Sequence, residues 1–284
     1  MKVKESLRRT AAKLAAKGID DASLEAELLL MHAMGVKRAG LYVRLEDDLS
    51  PKHAAALAEL VKRRLKREPA AYILGHREFY GLDFYVDSSV LIPRPETELL
   101  VEEAVTFARS NFPSGDPIIA DIGTGSGAIA VSLARSLPKA GVYAVDISPR
   151  ALDIAALNCI RHNVRVGLLS GDLLMPLPQP VDMIVANLPY IADNDMCGLS
   201  DEIREYEPSV ALAGGEDGLD IVRRLIVDAP ERLKPGGAVL VEVAPAQVDT
   251  LKAWAGGLGS WSQVVPVSDA GGFARAVKLI LTGR

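Results

Sequence analysis

Apolar positions change their spacing twice along the 284 residues. Residues 3–17, 22–34 and 51–67 repeat them at helical intervals with few breakers, as in Leu24, Leu28, Met31 and Ala33. Asp21 or Ser23 is placed to cap the second of these helices, and Ser50-Pro51 opens the third with N-cap and N1 residues. Arg63-Arg64-Leu65-Lys66-Arg67 closes it with positive charge, favourable against the helix dipole. This predicts a small helical bundle over residues 1–68, ended by Glu68-Pro69. A linker with a hairpin follows over 69–92. It holds Tyr72, Phe79, Tyr80, Phe84 and Tyr85, five of the chain's twelve Phe and Tyr. The alternation over 78–86 places the turn near Gly81-Leu82-Asp83. Leu91-Ile92-Pro93-Arg94-Pro95-Glu96-Thr97-Glu98 is then a stiff, extended lead into a helix over roughly 96–110.

From about residue 117 the period alternates between two and 3.6. Strands are expected near 117–121, 141–145, 164–169, 182–186 and 237–243, with helices near 127–136, 148–161 and 217–233. Segments 261–267 and 273–281 read as two strands around Ser268-Asp269-Ala270-Gly271-Gly272. The fold class is therefore α/β. Residues 93–284 form a doubly wound, mostly parallel sheet with an antiparallel C-terminal edge, and the helical bundle is appended at the N-terminus.

Composition adds ample core, with 49% apolar and 24% charged residues. Charge is unevenly divided. Residues 1–68 hold 15 Lys and Arg against 10 Asp and Glu, while residues 69–284 hold 17 against 27. A basic bundle on an acidic body suits an anionic partner, although solvated helix faces account for it equally well. Cys159 and Cys197 form neither a metal nor a redox spacing, so a reducing compartment is expected. No stretch has signal-peptide or membrane-spanning character, which predicts a cytoplasmic protein without membrane association. His32, His53, His76 and His162 show no ligand spacing, so no metal is expected.

The candidate chemistry gathers where strands end. Asp121-Ile122-Gly123-Thr124-Gly125-Ser126-Gly127 is a turn stripped of Cβ atoms between a strand and a helix N-terminus, suited to close approach of a small cofactor. Asp146, followed by Ile147, ends the next strand and is suited to accept two ribose hydroxyls. Asp172-Leu173 pairs a hydrogen-bonding side chain with an apolar one, as an adenine requires. Asn187-Leu188-Pro189-Tyr190 ends the strand after that. Each has a purely structural use as well: Asp146 as cap of the helix at Ser148-Pro149, Asp172 as a turn residue, and Asn-x-Pro-Tyr as an ordinary loop. Asp121, just before the turn, is placed to face a cationic ligand, which favours S-adenosylmethionine over a dinucleotide's pyrophosphate.

Together these residues resemble the release factor glutamine methyltransferases, the HemK/PrmC family of class I, Rossmann-like methyltransferases. The resemblance is carried by Pro69-x-x-Tyr72-x-x-Gly75, Arg77–Gly81, Leu91–Glu98, the glycine turn, Asn187–Ile191, Tyr206-Glu207-Pro208 with Ala211-Leu212, and Asp269-x-Gly271-x-x-x-Arg275. The family usually carries Asn-Pro-Pro-Tyr, and here Leu188 replaces the first proline while still offering its main-chain carbonyl. The resemblance implies S-adenosylmethionine as methyl donor, with S-adenosylhomocysteine as product. It implies Asp121, Gly123 through Gly127, Asp146, Ile147, Asp172, Leu173 and Asn187 as cofactor contacts. Asn187 through Tyr190 are the implied catalytic loop, with Ile92, Pro93 and Arg94 completing the substrate pocket. The implied substrate is the glutamine of the Gly-Gly-Gln motif in class I peptide chain release factors, methylated on N5, and the bundle would dock the release factor. A monomer is expected. Asn-Leu-Pro-Tyr also occurs in adenine-N6 methyltransferases, and a nucleic-acid adenine-N6 methyltransferase is the alternative. The acidic body argues against direct nucleic-acid binding. A dehydrogenase or a non-catalytic scaffold is a third class. Glu242, and Asp269 with Arg275, are placed either to line the site or to pair structurally at the surface, and pairing is favoured.

Overall fold

Helices Val3–Ala16 (α1), Ala22–Met34 (α2), Arg38–Val43 (α3), Pro51–Arg64 (α4) and Ala70–Leu74 (α5) open the computed structural model, which describes residues 1–113 and 116–283. The expected end of the larger domain, residue 284, lies outside the described residues. The short α3 and α5 are additions to the sequence reading. Leu14, Leu29, Leu30, Leu41, Leu57 and Val61 form the core of this helical part. Ser50 caps α4 by accepting from the His53 amide at 3.2 Å, whereas Asp21 makes no side-chain cap. Residues Met1–His76 with Ser200–Tyr206 form one compact unit, and the chain from Arg77 to Leu199 with that from Glu207 onward forms a second.

The basic run at the end of α4 is largely used inside its own unit. Arg64 is buried, with Nε 2.5 Å from Glu25 Oε2 and Nη2 2.8 Å from Glu202 Oε1. Arg63 pairs with Glu68, and Arg67 donates to the carbonyls of Lys17 and Gly18. Glu202 lies in the short helix Asp201–Tyr206, whose residues count with this unit. Charge that reads in sequence as an anion-binding face therefore serves mainly as internal cross-links.

The second unit takes all but the first residue of the hairpin His76–Phe79 (β1) and Leu82–Tyr85 (β2), then Glu98–Asn111 (α6). The alternation follows as Ile118–Ile122 (β3), Ala128–Ser136 (α7), Gly141–Asp146 (β4), Pro149–Arg161 (α8), Gly167–Ser170 (β5) and Val181–Ala186 (β6). After the helix Asp201–Tyr206 (α9) come Asp220–Arg232 (α10), Leu233–Glu242 (β7), Val248–Gly256 (α11), Trp261–Ser268 (β8) and Ala274–Leu281 (β9). The sequence reading lacks α11, although Val248, Leu251 and Ala255 are its buried positions at helical spacing.

The strands form one sheet in the order β5-β4-β3-β6-β7-β9-β8. Strands β3 to β7 run parallel, while β9 is antiparallel to both β7 and β8. Alternate residues of each central strand serve opposite faces. Ala120, Ile122, Ile184, Ala186, Val239 and Val241 meet α10 and α11 on one side. Ile119, Met183, Val185 and Leu240 meet α6, α7, Phe79 and Phe84 on the other. Burial on both faces explains why β6 reads as an unbroken apolar run save Asp182. The chain steps outward from β3 to β4 and β5, then crosses back to β6. The crevice at the carboxyl ends of β3 and β6 is thus the topological switch point.

Candidate active site

The turn after β3 has left-handed backbone at all three of its glycines, with φ of 75°, 54° and 80° at Gly123, Gly125 and Gly127. At Gly123 a Cβ would also stand 2.9 Å from Leu188 Cδ2, so glycine is required for closeness as well as for φ. The turn is tied to β4, because the amides of Gly123 and Thr124 both donate to the Val145 carbonyl. Asp146 accepts from the Gly125 amide at 2.8 Å and from the Ser148 amide at 2.9 Å. Burial raises the pKa of the Asp146 carboxyl, while these amides and that of Ile147 hold it down.

A cavity of about 230 Å³ lies above this turn. Of the residues expected at the cofactor, Gly123, Thr124, Gly125, Ser126, Asp146, Ile147, Asp172, Leu173 and Asn187 all line it, together with Leu188, Pro189, Pro93 and Arg94. Ile147 is among the exposed large apolar residues. Asp172 is held at 2.5 Å by Arg224, and Leu173 has a φ of 47°. Asp146, Asp172, Arg94 and Arg224 line the cavity, and the turn leaves open space over Gly125. With Asp172 paired to Arg224, Asp146 is the acid left to meet ligand hydroxyls, which fits a nucleoside such as S-adenosylmethionine.

Asp121, Gly127, Ile92 and Tyr190 do not line this cavity. Asp121, expected to face a cationic ligand, lies outside the cavity lining and keeps one buried oxygen, Oδ1, without a partner among the described residues. It shares the Ile119 face of β3 and is fully buried, its Oδ2 accepting from Thr124 Oγ1 at 2.6 Å and from the Ala130 amide at 3.0 Å. Ala130 is the third residue of α7, whose N-cap is a glycine with no side chain to offer. Asp121 therefore supplies the missing cap from the strand below. Burial first, with a smaller push from Asp146, raises its carboxyl to a pKa of about 7, against the two hydrogen bonds. Gly127 instead abuts Ala155 of α8, where a Cβ would come within 3.1 Å.

The Asn187 loop leaves the end of β6 with its side chains held on both sides. Asn187 Nδ2 donates to Thr97 Oγ1 at 3.0 Å. Leu188 is buried against Gly123 and belongs to the core beneath the sheet's edge, so the residue that replaces the usual proline is fixed by packing. Tyr190 donates to Glu242 Oε1 at 3.3 Å and faces a second cavity of about 380 Å³, shared with Arg94, Glu96 and Arg275. Its main-chain carbonyl accepts from Gln247 Nε2 at 2.8 Å. Gly218, at a φ of 79°, packs so close that a Cβ would stand 2.2 Å from that carbonyl. Burial and the neighbouring Glu242 carboxylate keep the Tyr190 phenol protonated, its pKa pushed up.

Pro93 and Arg94 are set by one buried carboxylate. Glu207 accepts from Arg94 Nη2 at 2.5 Å and from the Ile92 amide at 3.3 Å, bracing the extended segment at both ends. The expected structural pairing of Asp269 with Arg275 is present at 3.1 Å. Glu242 is not a surface pair: it is buried at the end of β7, with a carboxyl raised to about 7 chiefly by that burial. Thr97 and Asn158 are site residues that the sequence reading lacks. Asn158 is buried in α8 and donates to the carbonyls of Ser126 and Tyr85, joining the glycine turn to the hairpin. A polar residue on the apolar face of the predicted helix 148–161 was the available signal.

Two family models match the chain, the PrmC N-terminal domain over residues 5–75 and the methyltransferase small domain over residues 97–203. A release factor glutamine methyltransferase of Geobacter sulfurreducens is 49% identical over 250 residues, covering 88% of this chain and 86% of that protein. One from Rhodopirellula baltica is 42% identical over 270 residues, covering 93% and 90%. Among solved structures, a methyltransferase from Pyrococcus furiosus superposes with a TM-score of 0.52 at 19% identity, covering 79% of this chain and 99% of that one. That likeness concerns the fold alone.

Proposed function

The chain belongs to the release factor glutamine methyltransferase family, and we infer that it transfers the methyl group of S-adenosylmethionine to the side-chain nitrogen, N5, of the glutamine in a release factor's Gly-Gly-Gln motif. The observation that carries this reading is the sharing of one cavity by the glycine turn, Asp146 and Asn187–Pro189.

Bound S-adenosylmethionine would supply an electrophilic methyl on a sulfonium. Gly123 through Ser126 would hold its amino-acid end, Asp146 its ribose hydroxyls, and Ile147, Asp172 and Leu173 its adenine. An amide nitrogen is a poor nucleophile because its lone pair is delocalised. Asn187 has no useful pKa and cannot act as a base. Its Oδ1 and the Leu188 carbonyl instead accept the two N–H groups of the substrate amide, aim the nitrogen and stabilise the positive charge that grows on it. Tyr190, protonated and held by Glu242, is proposed to pack on the amide from the second cavity, which shares Arg94 with the first. Pro93 and Arg94, braced by Glu207, bound the substrate side.

The helical unit is proposed to dock the release factor. With Arg63, Arg64 and Arg67 engaged inside that unit, no basic groove for a nucleic acid is favoured, and the adenine-N6 reading is set aside. No helix among the described residues is long and apolar enough to cross a membrane. A cytoplasmic monomer, working where release factors are, completes the reading. Incubating the protein with methyl-labelled S-adenosylmethionine, a release factor and an RNA tests it. Label is expected on the release factor, lost when its Gly-Gly-Gln glutamine is replaced. Label on the RNA instead would overturn the assignment.

A further inference from the structure

Asp269 and Arg275 take no part in the reaction as inferred above, yet the turn between β8 and β9 is built around them. Asp269 Oδ1 accepts from the amides of Gly271 and Phe273, each at 2.9 Å, and its Oδ2 accepts from Arg275 Nε at 3.1 Å. The Phe273 amide first, and then the Arg275 guanidinium, hold the Asp269 carboxyl below the usual carboxylate range. The exposed Phe273 ring lies 5.8 Å from the guanidinium carbon. The Arg275 carbonyl accepts from the Val243 amide at 3.0 Å, which fastens this residue beside the carboxyl end of β7. An arginine tied at Nε keeps its two terminal NH₂ groups for another acceptor, and neither makes a hydrogen bond among the described residues.

Arg275 lines the cavity of about 380 Å³, with Arg94, Glu96, Tyr190 and Glu242 in the same wall. Glu96 and Glu242 set acids against the two guanidiniums, whereas a surface that holds nucleic-acid phosphates is basic throughout. Glu242 Oε2 is buried without a partner among the described residues, so the wall has an unmet polar atom as well. Donors and acceptors side by side match a peptide group, whose carbonyl suits a guanidinium and whose N–H suits a carboxyl.

The second cavity adjoins the reaction site in its residues. Arg94 lines both cavities, and Tyr190 directly follows Asn187–Pro189, which line the first. A glutamine with its amide at Asn187 keeps its main chain a side chain's length away. Glycine neighbours lack the Cβ that would hold a guanidinium off their carbonyls. Resting on the function inferred above, we propose that the second cavity is a subsite for the substrate protein's main chain beside the methylated glutamine, and that Arg275 is a specificity-determining residue that donates to a carbonyl of that chain. Such a contact is made equally before and during methyl transfer, so its weight falls on KM.

The test is steady-state methylation of a release factor by the full-length chain, with S-adenosylmethionine affinity measured separately by calorimetry. For Arg275→Met, which keeps the stem and removes the fork, KM for release factor is expected to rise about tenfold, the weight of one hydrogen bond from a charged group. Both kcat and the cofactor Kd are expected to stay within about twofold. Arg275→Lys, which keeps the charge without the fork, is expected to fall between. A wild-type KM in Arg275→Met, or a loss that falls on kcat or on cofactor binding, overturns the proposal. So does competition by RNA or inorganic phosphate that Arg275→Met abolishes, because that would mark an anion site. If Arg275→Met does not fold, an unchanged KM in Arg275→Lys overturns the proposal alone. An inactive wild type overturns the functional reading and this proposal with it, whereas an active wild type with unaffected variants overturns only this one.

Discussion

The carboxyl ends of β3 and β7 each bury one acid, and the two acids do different work. Asp121 and Glu242 are both raised to about 7, and each leaves one oxygen without a partner among the described residues. Asp121 spends its other oxygen on the first turn of α7 and on Thr124, so it braces backbone. Glu242 accepts from the Tyr190 hydroxyl, so it braces a side chain. The cofactor recognition proposed for the glycine turn rests on main-chain amides and bare Cα atoms, and its support acts on the main chain. The amide recognition proposed for Asn187 rests on which end of a side chain points where, and its support acts on side chains. A buried acid thus follows the kind of atom that its neighbourhood must hold still.

Several substitutions sharpen the contrast. The largest effect is expected for Asn187→Ala. Turnover should fall by on the order of 10²–10³, as when one preorganised group of a charge-stabilising site is removed, with cofactor affinity nearly kept. Single-turnover methylation and calorimetry separate the two quantities, and unchanged turnover would end the mechanism. Next is Gly123→Ala, in which a side chain must adopt a φ of 75° and meet Leu188 at 2.9 Å. The backbone cost alone is about 1–2 kcal/mol. Because the clash is with the Asn187 loop, cofactor affinity and turnover should fall together. Loss of one without the other would show that the turn and the loop are not coupled through this contact.

Asp121→Ala is expected to be milder for chemistry and felt in stability. It orphans the Ala130 amide and the Thr124 hydroxyl, at a cost of about 1–3 kcal/mol in denaturant unfolding. A loss confined to kcat would contradict a backbone role.

The smallest effect concerns pH. Folding holds the protons on these two carboxyls up to about pH 7, whereas the unfolded chain releases them from about 4. Their contribution to stability is therefore fully present below about 4 and is lost as pH rises through about 7. Thermal midpoints between those limits should decline less steeply with pH in Glu242→Gln than in the wild type. An unaltered slope would mean that Glu242 is already ionised across that range.

The helical unit shows how much of a basic run can be spent inside one unit. Arg63 to Arg67 form the densest basic run in the chain, and its three arginines are engaged by Glu25, Glu68, Glu202 and three carbonyls. Glu202 is more than 130 residues from Arg64. No local pattern announces such a partner.

What the sequence determined by itself is whatever depends on period and on backbone freedom. The 3.6 and two-residue repeats specify the order of helices and strands, and three glycines within five residues can hardly be anything but a turn that needs positive φ. Asp146, Asp172 and Asn187 are legible for the same reason, since each follows an apolar run and a doubly wound sheet aligns such ends. Only tertiary structure decided what each buried polar group faces. Asp121 points under α7 because of its parity along β3, Thr97 meets Asn187 from 90 residues away, and Glu242 reaches the loop because β7 pairs with β6. Those contacts follow from sheet register and helix packing. Both are set by the whole core at once, and no window of the chain contains them.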